Sequence, residues 1–271
     1  MSSPARRLPA RRFPSRTRLP SRTRLLALGR AELTLLGRNR TALVGALLVP
    51  LLMVEAVRSS LRSVDLGAAG TSIAEVAVTG ALGMALLVGV YSNLVAALVA
   101  RRESLVLKRL RTGEPTDTEI LTGIALPAVT LALAQCVLLT AGGIAVLDLP
   151  APGRPELLLA GALLGAVLLT VLAAATSAVT RTVESAQLTA LPLLLVSAVG
   201  SGLFVPLSVL PERVASLCEL LPLTGAMTLV RAGWTGSPGA GELIGAALTT
   251  VAWIMVSVFA VQRWFRWEPR R

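Results

Sequence analysis

Residues 101–111 read RRESLVLKRLR, and the fold turns on this stretch. It holds the only lysine of the chain, Lys108, together with Arg101, Arg102, Arg109 and Arg111 and a single acid, Glu103. Long apolar runs flank it on both sides. One Arg or Lys at the centre of a bilayer costs about 2.5–3.5 kcal/mol or more, so the cluster belongs at a membrane face. Positive charge assigns that face to the cytoplasm.

Composition sets the class around it. The chain has 271 residues, 54% of them hydrophobic and 15% charged, with only 3% aromatic. A mean hydropathy of +0.73 is too high for an ordinary soluble protein. The apolar mass is Ala, Leu and Val, which suits helices against lipid, and the expected fold class is all-α and polytopic. The net charge of +11 raises nucleic acid as a partner. Its placement at the ends of apolar runs, with few stacking aromatics, argues instead for membrane orientation and no nucleic acid. There is no histidine, and Cys136 and Cys218 form neither a disulfide framework nor a metal pair, so no metal site and no hydrolase base are expected.

Residues 1–24 are rich in Arg, Pro and Ser and repeat PSRTRL in tandem from Pro14 to Leu25. They read as a disordered basic cytoplasmic tail, either merely solvated or resting on anionic membrane lipid. Residues 25–40 keep five leucines on about half of a helical wheel, with Arg30 and Arg38 outside that arc and Arg40 closing the segment. That pattern predicts an interfacial helix along the inner membrane face. Six spans follow over Thr41–Val57, Glu75–Ala100, Ile120–Leu147, Leu157–Val179, Gln187–Phe204 and Glu242–Gln262. With the N-terminus inside, 21 of the 26 basic residues fall on inner segments and five on outer ones. This supports an even number of spans and two cytoplasmic termini, residues 266–271 being the second tail.

Within the spans, Gly161 and Gly165, and Gly241 and Gly245, are spaced for close helix approach. Pro50, Pro127 and Pro192 permit kinks. Gln135 is a polar residue for an internal path or a neighbouring helix. The segment around Ser201, Gly202, Pro206, Pro211 and Pro222 divides into apolar pieces too short to span. These predict short re-entrant helices in the outer leaflet, or helices lying on the outer surface.

Three places resemble the membrane subunits of type-2 ATP-binding-cassette exporters, the daunorubicin-resistance-like permeases in particular. They are Arg38-Asn39-Arg40 before a span with Pro50; Arg102-Glu103 through Leu107-Lys108-Arg109-Leu110-Arg111-Thr112 towards Ile120, Leu121 and Gly123; and Ser201-Gly202-Leu203-Phe204 with Pro206, Pro211 and Pro222-Leu223. The likeness runs from about residue 25 to residue 265 in order and register, while Gly113-Glu114-Pro115 departs from the family pattern. It implies a six-helix transmembrane domain over 41–265 that pairs with a second permease copy and binds a cytoplasmic ABC ATPase. Arg101, Arg102, Glu103, Lys108, Arg109 and Arg111 would then form the coupling element. Arg30, Arg38 and Arg40 would belong to a connecting helix, and Ser201 to Pro222 to a re-entrant outer segment.

The residues agree on the energy source. A phosphate-cradling loop needs Gly-Lys-Ser/Thr, whereas Lys108 lies between Leu107 and Arg109. The chain is therefore expected to be a permease and not an enzyme, with ATP and magnesium held by the partner. A non-transporting membrane anchor that recruits a cytoplasmic partner is the alternative. An Ala, Leu and Val lining suits an amphipathic or hydrophobic cargo, such as a drug, natural product or lipid-linked molecule. Heavy use of Arg over Lys with abundant Ala points to a high-GC bacterium, hence to export, antibiotic efflux included, across a bacterial cytoplasmic (inner) membrane.

Overall fold

The computed structural model describes residues 72–268, apart from 114, 205–206, 208–209 and 237–238. The expected tail (1–24), interfacial helix (25–40, with Arg30, Arg38 and Arg40), first span (41–57) and Pro206 lie outside those residues. Among the described residues every regular element is a helix, as expected for an all-α membrane protein.

Five helices are long and apolar enough to cross a bilayer. They are α1 (Ile73–Glu103), α3 (Asp117–Val146), α4 (Pro155–Val179), α5 (Val183–Gly200) and α8 (Ala240–Trp264). Between them lie the short α2 (Val106–Arg111) and the pair α6 (Glu212–Glu219) and α7 (Thr224–Thr235), bent by 102° where they join. These are the five later spans of the six expected, in the expected order.

Local chemistry sets where each span begins and ends. α1 opens on a capping box: the Glu75 amide donates to Ser72 Oγ at 3.1 Å, and the Ser72 amide donates to the Glu75 carboxylate at 2.9 Å. It continues past Ala100 to Glu103, because Arg101 and Arg102 in its last turn oppose the negative end of the helix dipole. α3 begins at Asp117 rather than Ile120, since Thr116 and Glu119 form a second capping box over a polar first turn. α5 ends at Gly200 rather than Phe204: Gly202, with φ +70°, takes the left-handed conformation that ends the helix. Pro127 and Pro192 lie inside α3 and α5 without ending either helix.

α4 is the central post. It packs against α1, α7 and α8, and α1 in turn lies on α3 and α5. Leu168, Leu169 and Ala173 of α4 and Leu86, Leu87 and Val90 of α1 are fully enclosed. Glycine makes the approach of α7 close. A Cβ on Gly161 would stand 2.8 Å from the Ala226 carbonyl oxygen, and one on Gly225 would stand 2.3 Å from that of Ala246. Gly165 meets Ala226 and Leu86 at ordinary contact distance, whereas Gly241 and Gly245 meet nothing within 4 Å among the described residues. The first glycine pair is therefore a packing face, and the second is not one among the described residues.

α7 is buried along most of its length, and α6 has no buried residue. α7 thus packs into the bundle while α6 stays at its surface, and the bend between them fits either a broken span or a re-entrant loop. α8 uses one narrow face: only Thr250 and Ser257 are buried, while Ile244, Leu248, Met255 and Phe259 are exposed. In a bilayer that outer face meets hydrocarbon.

Inside α1, Leu87–Ser92 form a π-helical segment. It sets the Tyr91 hydroxyl 3.1 Å from Thr176 Oγ1 and lets Ser92 Oγ donate to Gln187 Oε1 at 3.0 Å. Gln135 is buried against the same segment beside Gly89, so it meets a neighbouring helix.

Candidate functional site

The chain reverses direction after α1 at Ser104 and Leu105, then forms α2 with the second half of the RRESLVLKRLR stretch. Leu105 has φ 59°, a left-handed conformation that costs a residue with a side chain about 1–2 kcal/mol. Its carbonyl accepts from the Arg109 amide at 3.0 Å, which starts α2. Leu107 is completely buried and pins α2 to the bundle, while Lys108 and Arg109 are exposed. Leu105 is itself 47% exposed, an apolar side chain at the tip of a charged turn.

The two ends of the bundle differ in character. At the basic end, α2, the 180–182 connection and residues 265–268 come together. At the opposite end lie the 147–154 connection, the bent pair α6 and α7 and the start of α8. There the Arg154 amide donates to the Gly233 carbonyl at 2.9 Å, and Trp253 Nε1 donates to the Leu220 carbonyl at 2.8 Å.

The six coupling candidates separate into distinct roles. Arg102 is only 1% exposed. Its Nη1 donates to the Ser177 carbonyl at 2.8 Å and its Nη2 to the Thr180 carbonyl, so it caps the C-terminal end of α4. The next residue, Glu103, accepts from the Val183 amide at 3.1 Å, at the first residue of α5. A cation thus meets the carbonyl end of one span, and an anion meets the amide end of the next. Consecutive residues of α1 clamp both sides of the connection that carries Arg181.

Lys108 pairs with Glu268 at 3.0 Å, and Arg111 pairs with Asp117 at 3.3 Å. Both are exposed pairs of the kind worth about 0–1 kcal/mol each. Arg111 also stands 5.0 Å from the centre of the Trp267 ring. Arg101 is partly buried beside Arg102. The outward cationic surface is therefore Lys108, Arg109 and Arg111, and Arg102 faces inward.

Of the re-entrant candidates, Ser201 is fully buried and its carbonyl accepts from Arg231 Nη1 at 2.8 Å. Pro211 stands at the N-terminus of α6, and Pro222 is buried in the bend before α7. Three features escape sequence reading: the Arg102–Glu103 clamp, the left-handed Leu105, and the folding of residues 265–268 back onto α2. The first depends on partners far away in the chain, which spacing does not reveal. For the third, the run Trp264-Phe265-Arg266-Trp267 signals an interfacial aromatic anchor. Among the described residues no three of Cys, Asp and Glu come together as a metal would require.

A model of the family described as ABC-2 type transporter matches residues 23–234, including α1 to α7. The match stops short of α8. A search of curated proteins gives no significant match. Most of the chain is thus accounted for by one family: the protein belongs to the ABC-2 type transporters and is a membrane permease component of an ABC transporter.

Proposed function

We propose that the chain is the permease subunit of an exporter driven by a separate cytoplasmic ATPase, which docks on α2. The observation that carries this is a short cationic helix, Lys108 to Arg111, anchored by buried Leu107 but otherwise exposed beyond the ends of the spans. The basic end is the cytoplasmic end, in keeping with the distribution of positive charge. Closure of the ATPase pair would push α2. The Arg102–Glu103 clamp would pass that push to α4 and α5, as a switch between two packed arrangements.

Two permease copies would enclose the path, homodimerisation being the simplest assembly. The cargo is amphipathic or hydrophobic, because Ala, Leu and Val make up most of the described bundle interior and few fixed charges there would need matching. Export runs outward across a bacterial cytoplasmic membrane, with ATP and magnesium on the partner.

The test is co-purification from native membranes followed by reconstitution in liposomes. A cassette ATPase should copurify with the chain. Lys108→Ala combined with Arg109→Ala should weaken that association. Glu103→Ala should leave the ATPase bound yet separate ATP turnover from transport. Absence of an ATPase under crosslinking conditions, with the permease folded, refutes the reading.

A further inference from the structure

After α8 ends at Trp264, the chain turns back and lays Phe265 and Trp267 against the bundle, both half-buried. Their rings meet edge to face at 5.0 Å. Trp267 offers its face to Arg111, and Glu268 reaches Lys108. Arg111 is in turn held by Asp117 at the start of α3. Lys108 and Arg111, two of the three cations of α2, are thus engaged by a segment that belongs to the last span. Both α8 and this segment lie beyond the residues that the family model matches.

α8 also grips the bent pair α6 and α7 at the other end. Gly225 of α7 closes on the Ala246 carbonyl, and Trp253 holds the Leu220 carbonyl at the end of α6. One helix therefore joins α2, through four residues, to the bent pair α6 and α7. Between those two ends α8 packs on α4, and its outer face, with Ile244, Leu248, Met255 and Phe259, is exposed among the described residues.

We propose that Phe265–Glu268 is a tether that makes α2 and α8 one moving unit, with Trp267 and Glu268 as positioning residues. A displacement of α2 then reaches α6 and α7 through α8, in parallel with the route through the Arg102–Glu103 clamp. The inference rests on the reading of α2 as the element an ATPase pushes. Each contact is individually weak, but the ring, the stacked guanidinium and the ion pair act on adjacent residues and fix one geometry.

Spin labels at Thr112→Cys and Arg263→Cys, with Cys136→Ala and Cys218→Ser, test this in nanodiscs. For the permease alone, the expected distance distribution is narrow. Trp267→Ala with Glu268→Ala should lose the narrow peak, and Trp267→Phe should keep it. With the ATPase bound and nucleotide trapped by vanadate, the distance should stay fixed with the native tail. It should shift in the double alanine variant, while ATPase capture remains at the native level. A broad distribution with the native tail, a narrow one in the double variant, or a shift on trapping with the native tail overturns the tether. Failure of the ATPase to bind the native chain would instead remove the docking reading, and the permease-only comparison would still decide the tether.

Discussion

Arg102 and Arg109 are the same side chain in the same stretch, and burial gives them opposite tasks. Arg102 has its guanidinium fork on two carbonyls at the end of α4, while Arg109 is exposed on α2. Arg102→Ala leaves those carbonyls without their charged donor and should lower stability by about 2–3 kcal/mol, seen as a drop in Tm in detergent. Arg102→Lys should recover only part of the loss, since an ammonium lacks the planar fork. Arg109→Glu should stay within about 0.5 kcal/mol of the native stability but weaken ATPase capture by roughly tenfold. The sequence identifies both residues as cations at a membrane face. It cannot separate them, because burial depends on α4 and α5, far away in the chain. Leu105 carries a related lesson: its left-handed backbone is invisible in a run of ordinary residues. Leu105→Gly should relieve about 1 kcal/mol of strain. It should also loosen the turn, read as faster proteolysis at residues 103–106 with Tm unchanged or higher.

At the scale of elements, the spans are legible because apolar length is a direct physical requirement of the bilayer. Their ends are less so. The capping boxes at Ser72 and Thr116 extend helices into polar sequence, and Gly202 cuts one short inside an apolar run. Glycine spacing alone also misleads, since only contact separates Gly161 from Gly245. Gly225→Val would drive a side chain into the Ala246 carbonyl and the Thr250 hydroxyl. It should destabilise the protein by about 3 kcal/mol or more and free the bent pair α6 and α7 from α8. Gly245→Ala meets open space and should be neutral or stabilise α8 by up to about 1 kcal/mol. Thermal unfolding of the two variants side by side checks the packing.

For the whole molecule, the decisive feature is that one end gathers the cationic α2, the Arg181 connection and the final tail. The other end holds the bent pair α6 and α7. That sidedness was readable as charge arithmetic, since each loop in turn must fall on alternate faces. Which residues of the basic end touch one another was not, because ion pairs such as Lys108–Glu268 join the second span's loop to the end of the last. Lys108 is the sole lysine, so an amine reagent that cannot cross membranes should modify its peptide only when the cytoplasmic side is open. The docking claim itself is tested most directly by a photocrosslinking amino acid at position 109 in native cells, with a control at exposed Arg213 on the opposite end. The expected result is covalent capture of a cassette ATPase from position 109 and none from 213. Capture from 213, or none from 109 while the permease is folded and inserted, would contradict it.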